Sequence, residues 1–166
     1  YVEETGLFYF SGKTETSVIS NHYQKDDNVL PASNSVMANN LHKMYLIFGR
    51  PEYLKIAEKM LHHVTPAFTK YPMAYANWGM LMLKITAPYF EVAVAGAKAN
   101  EIIAEMQNSF HPNILWAQAT KPSDVPILKD RLIKGKTLIY VCEEGVCQLP
   151  VETVKAANNL FGSSEK

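Results

Sequence analysis

An excess of charge of either sign is what this sequence lacks first: sixteen Lys and Arg stand against sixteen Asp and Glu, a formal net charge of zero. Nucleic acid and anionic membrane surfaces both call for a positive footprint, so neither is an expected partner. Charged residues make up only 19% of the chain, below the roughly one quarter that is usual. Cysteine is scarce as well. Two Cys in 166 residues build no disulfide scaffold, and the C-x2-C spacing of thioredoxin-like sites is missing. No apolar run approaches the roughly 20 residues of a membrane span. No P-loop motif is present, and the strand-to-helix junction after Ala95 carries one glycine where a dinucleotide loop needs several. No period near 34 residues marks a helical-repeat solenoid. The chain opens on Tyr1 without initiator Met, signal peptide or transit peptide, and reads as a piece of something longer. What is present is a globular composition, 48% apolar and 11% aromatic.

The first third reads as irregular. Gly6 to Phe10 has the apolar, aromatic make-up of a strand. Ser11-Gly12-Lys13 forms a turn and Thr16 to Ile19 a return strand, which predicts a short β-hairpin. Helical spacing then takes over. Val36, Met37, Leu41, Met44, Tyr45 and Phe48 recur every three or four residues, with Ser33 or Asn34 as cap and Gly49 as terminator. Pro51 opens a second helix whose stripe is Tyr53, Ile56, Ala57, Met60, Leu61 and Val64. The short link makes the two an antiparallel pair. Pro72 opens a third helix, running to Ile85 and apolar nearly all round, which predicts burial on more than one side. After Pro88 the period changes. Strands are predicted at Tyr89–Ala95, Ile114–Ala117 and Thr137–Val141, helices at Asn100–Phe110 and Val151–Phe161, and a loop with a helical turn at Pro122–Asp130. Alternating β and α elements predict a small, mostly parallel sheet of three or four strands covered by helices. The domain boundary falls near residue 87, with helical hairpins in 1–87 and an α/β unit in 88–166.

Chemistry is harder to find. Gly96 sits where a strand passes into a helix, and a single glycine is an ordinary turn. Cys142-Glu143-Glu144-Gly145-Val146-Cys147 is the most distinctive local feature. Glu144-Gly145 as a two-residue turn places Cys142 directly across from Cys147, within reach of a disulfide. Three readings stay open: a structural or redox-sensitive disulfide, two buried free thiols, or half a metal site. His111 is the only His in that half of the chain, so a metal would lack ligands. Glu143 and Glu144 raise a neighbouring thiol's pKa, which argues against a catalytic thiol. His62-His63 suits the end of a helix electrostatically. His42 shares a polar helix side with Asn39 and Asn40, facing solvent or a cavity. A glycosidase needs two carboxylates, and the candidates outside helix surfaces are Glu3, Glu4, Glu15, Asp26 and Asp27. Asp26-Asp27 also suits a helix start. No motif implies a cofactor or a resident metal.

Three stretches fit together. Asp27-Asn28-Val29-Leu30-Pro31-Ala32-Ser33-Asn34-Ser35 opens the first long helix, and Phe48-Gly49-Arg50-Pro51-Glu52-Tyr53 follows it. Tyr140-Val141-Cys142 through Cys147-Gln148-Leu149-Pro150 comes near the end. Over residues 6–162 the chain resembles the C-terminal portion of the thioredoxin-domain-containing family that includes spermatogenesis-associated protein 20 and its bacterial relatives. One departure counts: Ala32-Ser33 stands where that family has Ser followed by Gly or Ala, so any role of a serine hydroxyl at position 32 is gone.

The resemblance implies an N-terminal thioredoxin-like domain and an (α/α)6 barrel of the six-hairpin glycosidase and N-acylglucosamine 2-epimerase type, both outside this chain for the most part. Residues 1–87 are then expected to be a barrel remnant, and the whole an α+β fragment. A small carbohydrate ligand follows by fold analogy alone. Asp27, Asn34 and His42 are then the candidate catalytic residues at the barrel mouth. The fragment is expected to be inactive by itself, to expose apolar helix surface such as Met73–Leu83, to self-associate, and to come from a soluble cytoplasmic protein. The competing expectation is a non-catalytic interaction or redox-responsive module using Cys142 and Cys147.

Overall fold

The computed structural model describes residues 1–10 and 22–161. The predicted turn at 11–13 and return strand at 16–19 lie outside those residues, as does Glu15. Gly6–Phe10 is not a strand. Val2 and Leu7 make a single antiparallel bridge around a tight turn, in which Gly6 takes a φ of 71°.

Five α-helices follow, α1 (Ser33–Phe48), α2 (Pro51–Lys70), α3 (Ala76–Thr86), α4 (Ala99–Met106) and α5 (Val154–Leu160), with a 3-10 turn at Pro72–Tyr75 leading into α3. Four strands complete the chain, β1 (Phe90–Ala95), β2 (Ile114–Ala119), β3 (Leu138–Glu143) and β4 (Val146–Cys147). By contacts the chain divides into two compact units, Tyr1–Tyr45 with Arg50–Thr86, and Leu46–Gly49 with the residues from Ala87 on.

In the first unit the α2 stripe faces the core as its spacing implies, whereas α1 turns a different face inward: Val36, Met37 and Phe48 of its predicted stripe are exposed, and Asn34, Ser35, Ala38, Asn39, Leu41 and His42 are buried. Ala38 and Leu41 of α1, Ala57, Met60 and Val64 of α2, and Trp78 and Leu81 of α3 close a core that also takes in Leu7 and Tyr75. Large side chains buried this fully contribute about 1.5–3 kcal/mol each from apolar surface alone. The third helix is buried on one side only: Met73 is 93% exposed, and Met80 and Leu83 also face outward.

In the second unit the sheet order is β2-β1-β3-β4. β1 pairs with β2 in parallel, Phe90 against Ile114, through the α4 crossover. It pairs with β3 in antiparallel, Phe90 against Glu143 and Ala95 against Leu138. β3 and β4 form an antiparallel hairpin. One face, carrying Phe90, Val92, Val94, Ile139 and Val141, packs on Ile103 and Met106 of α4 and Ala157 of α5. Thr153 caps α5 by accepting the Ala156 N–H at 3.2 Å.

Two fold expectations are corrected. The sheet is mixed, with one parallel pair among its three. A parallel return from β2 to β3 would need a helical crossover. Residues 120–137 contain Pro122 and Pro126 and hold no helix, so β3 starts at the end of the sheet where β2 finishes. The described residues also form no remnant of a six-hairpin (α/α) barrel. They make a small α+β protein, five helices and a four-stranded mixed sheet, in which three helices close a local core and the chain then turns to strand.

Candidate functional site

The second unit gathers its chemistry around the β3–β4 hairpin. Glu144 and Gly145 both take positive φ, 51° and 77°, as a two-residue turn of the I′ kind requires. That turn sets Cys142 and Cys147 directly opposite each other, and their sulfurs are joined in a disulfide. The two ends differ in access: Cys142 is 2% exposed, whereas Cys147 lies on the surface.

Arg131 reaches this disulfide from the long loop before β3. Asp130, at a φ of 59°, turns the chain immediately before it, in a left-handed conformation that Asp tolerates better than most residues. The guanidinium then lies 4.9 Å from the centre of the Tyr140 ring, and the Tyr140 hydroxyl donates to the Arg131 carbonyl at 2.8 Å. From there Nη1 sits 3.4 Å from Cys142 Sγ and Nη2 3.3 Å from Cys147 Sγ. Burial draws the guanidinium's pKa below its usual value, while Tyr140 and Glu91 act the other way.

Glu91 lies across the ladder from Cys142, on the same face of the sheet. It is a carboxylate inside an otherwise apolar strand and only 5% exposed. Its Oε2 accepts the Gly145 N–H at 3.4 Å; its Oε1 is buried with no hydrogen-bond partner among the described residues. Burial raises the Glu91 pKa, the Gly145 bond and Arg131 oppose that rise, and Glu143 and Glu144 add to it. Among the described residues no group of three or more His, Cys, Asp or Glu is placed to hold a metal ion.

The first unit holds the other candidates. Asp27 Oδ1 accepts the Ala32 N–H at 2.8 Å and the Ser35 hydroxyl at 2.6 Å, and Oδ2 accepts the Asn77 N–H at 2.9 Å. The carboxylate thus serves the N-terminal turns of α1 and α3 together. Asn34 is fully buried and spans a separate gap, accepting the Phe8 N–H at 2.7 Å and donating to the carbonyls of Phe8 and Gln24. Asn39 donates to the Ser35 and Asn77 carbonyls and accepts from Lys84 Nζ at 2.8 Å. His42 is buried, and burial together with Lys84 pushes its pKa down to about 4. Asp27 and Asn34 therefore spend their polar atoms on the backbone of neighbouring segments. His42 feels the charge of Lys84, which also bonds Asn39. A shallow hollow of about 480 Å³ lies beside Asp26, Asp27 and Asn28, floored by Met73 and Ala74.

A larger cavity of about 690 Å³ opens where β1 and β2 end, lined by Gly96, Lys98, Thr120, Lys134, Lys136 and Thr137 among others. Its polar groups are partly satisfied within the protein. Thr137 Oγ1 accepts the Lys98 N–H at 3.2 Å, and Lys136 pairs with Glu152 at 3.6 Å.

Arg131 and Glu91 were not among the residues singled out from sequence, and Tyr140 entered only as the start of the closing stretch. A charged residue inside the apolar run Phe90–Ala95 was a usable signal for Glu91. Nothing local marks Arg131, which the fold brings to the disulfide from eleven residues before Cys142. Among the described residues, no helix is long and apolar enough to cross a membrane.

No protein-family model matches the chain. It is similar to an uncharacterised Caenorhabditis elegans protein, B0495.5, with 21% identity over 162 residues. The match takes in 93% of this chain and spans only 22% of that relative's length.

Proposed function

We propose that the second unit is a redox-responsive module whose working element is the Cys142–Cys147 hairpin. One observation carries this reading: a single guanidinium lies within 3.4 Å of both sulfurs of a pair that is buried at one end and open at the other. An external thiolate has access to Cys147 Sγ. Its attack forms a mixed disulfide there and breaks the S–S bond, releasing Cys142 as a thiolate beside Arg131. The reductant's second thiol then attacks the reductant's own sulfur in that mixed disulfide, which releases Cys147 as a thiolate and leaves the external disulfide. The balance is protein disulfide plus external dithiol giving protein dithiol plus external disulfide, with two electrons and two protons moved. Arg131 favours a thiolate electrostatically, against the carboxylates around it. The carbohydrate reading depended on a barrel, and this architecture lends it no support.

The test is a count of free thiols in denatured protein. We expect none after equilibration with oxidised dithiothreitol and two after reduced dithiothreitol, with full return on re-oxidation. Two free thiols under both conditions would remove the reading. We also read the chain as part of a longer protein of the thioredoxin-domain-containing family, a reading supported by the stretches Asp27–Ser35 and Tyr140–Pro150. A coding sequence upstream of Tyr1 that lacks a C-x2-C thioredoxin pattern would count against it.

A further inference from the structure

We propose that Glu91 is the positioning residue of this redox hairpin: its carboxylate holds the Glu144–Gly145 turn closed across the ladder from Cys142, so that protonating Glu91 favours the open, reduced form. The inference rests on the redox reading above and adds to it a proton and the residue that carries it.

The hairpin is weak at its edge. β4 is two residues long, and its ladder is completed by a bond from the Gln148 N–H to the Val141 carbonyl at 3.0 Å. A two-stranded hairpin of this length is marginal without a staple. Besides the disulfide, what reaches the turn from the rest of the sheet is Glu91, through the Gly145 N–H. The bond exists only while the turn is closed, and it favours the charged carboxylate. The bond therefore lowers the proton affinity of Glu91 in the closed turn while burial there raises it, and the inference is that on opening the loss of the bond outweighs any gain of water. By linkage, a proton on Glu91 must favour the state in which the bond is absent.

The charged and titratable groups around Glu91 are Tyr89 just before its strand, Arg131 from the loop, with Tyr140 beneath that guanidinium, Glu143 on β3 and Glu144 in the turn. Arg131 is shared. It faces the carboxylate and both sulfurs, so a thiolate released at Cys142 competes with Glu91 for one guanidinium. A thiolate retained there would release a proton where Glu91 takes one up, so the expected slope is that of a Cys142 that is protonated once exchange is complete. Burial already holds Glu91 above the ordinary carboxyl range, nearer the pH at which thiols exchange.

The experiment is the equilibrium between the protein and dithiothreitol from pH 5.5 to 7.5, read by thiol trapping. With both dithiols protonated, as ordinary thiols of pKa about 8.5 are in this window, the constant does not vary with pH. Any variation reports another group. We expect wild type to shift toward the reduced form as pH falls, by up to about tenfold per pH unit, the limit for one proton. Glu91→Gln should be flat, and Glu143→Gln with Glu144→Gln should keep the wild-type slope. A flat wild-type profile overturns the inference while leaving the redox reading intact. A shift toward the reduced form as pH rises overturns it too, because that sign belongs to a thiolate held by Arg131. No measurable disulfide at any pH is failure of the redox reading itself. Should Glu91→Gln not fold, carboxyl NMR of wild type decides: the Glu91 pKa must be higher in reduced than in oxidised protein.

Discussion

Replacing Asp27 by Ala separates a fold-holding carboxylate from a reactive one. The carboxylate accepts three hydrogen bonds, from the Ala32 N–H, the Ser35 hydroxyl and the Asn77 N–H. Bonds to a charged group contribute about 1.5–3 kcal/mol each, and three sharing one carboxylate do not add fully. Removing it leaves two backbone donors at helix starts in a site that water scarcely enters. The expected loss is about 3–5 kcal/mol. Asp27→Asn keeps one oxygen and sets an NH2 group against one donor, so it should cost about half as much. The two tryptophans make the assay specific, because Trp78 lies in the core of the first unit and Trp116 in the second. Trp78 is well placed, since its Nε1 donates to the Lys25 carbonyl at 2.8 Å, two residues before Asp27. Urea unfolding is followed by Trp78 fluorescence in a Trp116→Phe background. Loss of less than 1 kcal/mol in Asp27→Ala would refute the structural role and return Asp27 to the list of reactive candidates.

Other outcomes follow from the same structure. Reducing the disulfide should destabilise the second unit by roughly 2 kcal/mol, the loop-entropy value for a crosslink across so short a loop, and leave Trp78 unfolding unchanged. Unfolding with and without a phosphine reductant checks this, and a Cys142→Ala, Cys147→Ala double variant should not respond. His42 titrates near 4 in the fold against 6.5 when unfolded. Its folded pKa is depressed, so its contribution is present above about pH 6.5 and lost as pH falls toward 4. The loss between pH 7 and 5 should be about 2 kcal/mol, absent from His42→Gln and measured as the difference between the two unfolding profiles. Gly96→Ala would place a Cβ 2.4 Å from the Lys136 carbonyl oxygen and 2.5 Å from Thr137 Cα, at a φ of 140°. A cost of about 3 kcal/mol or more is expected from Trp116 unfolding, whereas Gly145→Ala, with open space around it, should cost only about 1–2 kcal/mol.

Local rules carried the sequence reading a fair way through the fold. The stripe at Ala57, Met60 and Val64 is the buried face of α2, and the strand–Gly96–helix succession is the β1–α4–β2 unit. Both depend on neighbours a few residues apart. The sheet's direction does not. Whether β3 runs with or against β1 is decided by residues 120–137, which hold no apolar period long enough for a crossover helix. Alternating β and α elements suggested a parallel sheet, and that stretch overrode them. The stretch Met73 to Leu83 drew two opposed expectations, burial on more than one side and bare apolar surface, and Met73, Met80 and Leu83 are exposed. Apolar on every side implied burial on every side, yet Met73 falls in the 3-10 turn ahead of α3, where the helical stripe has not begun.

The site shows the limit more sharply, because electrostatics adds up over space and sequence distance conceals it. Within a few residues of Cys142 and Cys147 the only charges are Glu143 and Glu144, and from these alone a thiolate looks disfavoured. The fold adds Arg131 at 3.3–3.4 Å from the sulfurs and brings Glu91 from another strand to the turn. A cation in contact with sulfur outweighs solvated carboxylates, since exposed charges are screened and a half-buried guanidinium is screened less. The sign of the local field is therefore set by a residue with no sequence signature. The buried partner is different: a lone Glu in the run Phe-Glu-Val-Ala-Val-Ala is costly to bury and asks for a reason wherever it occurs. Asp27 and Asn34 gave the opposite lesson. Polar residues at a helix start have two uses, and only their bond partners distinguish them. Here those partners are backbone groups and the Ser35 hydroxyl, which are present whether or not a substrate is.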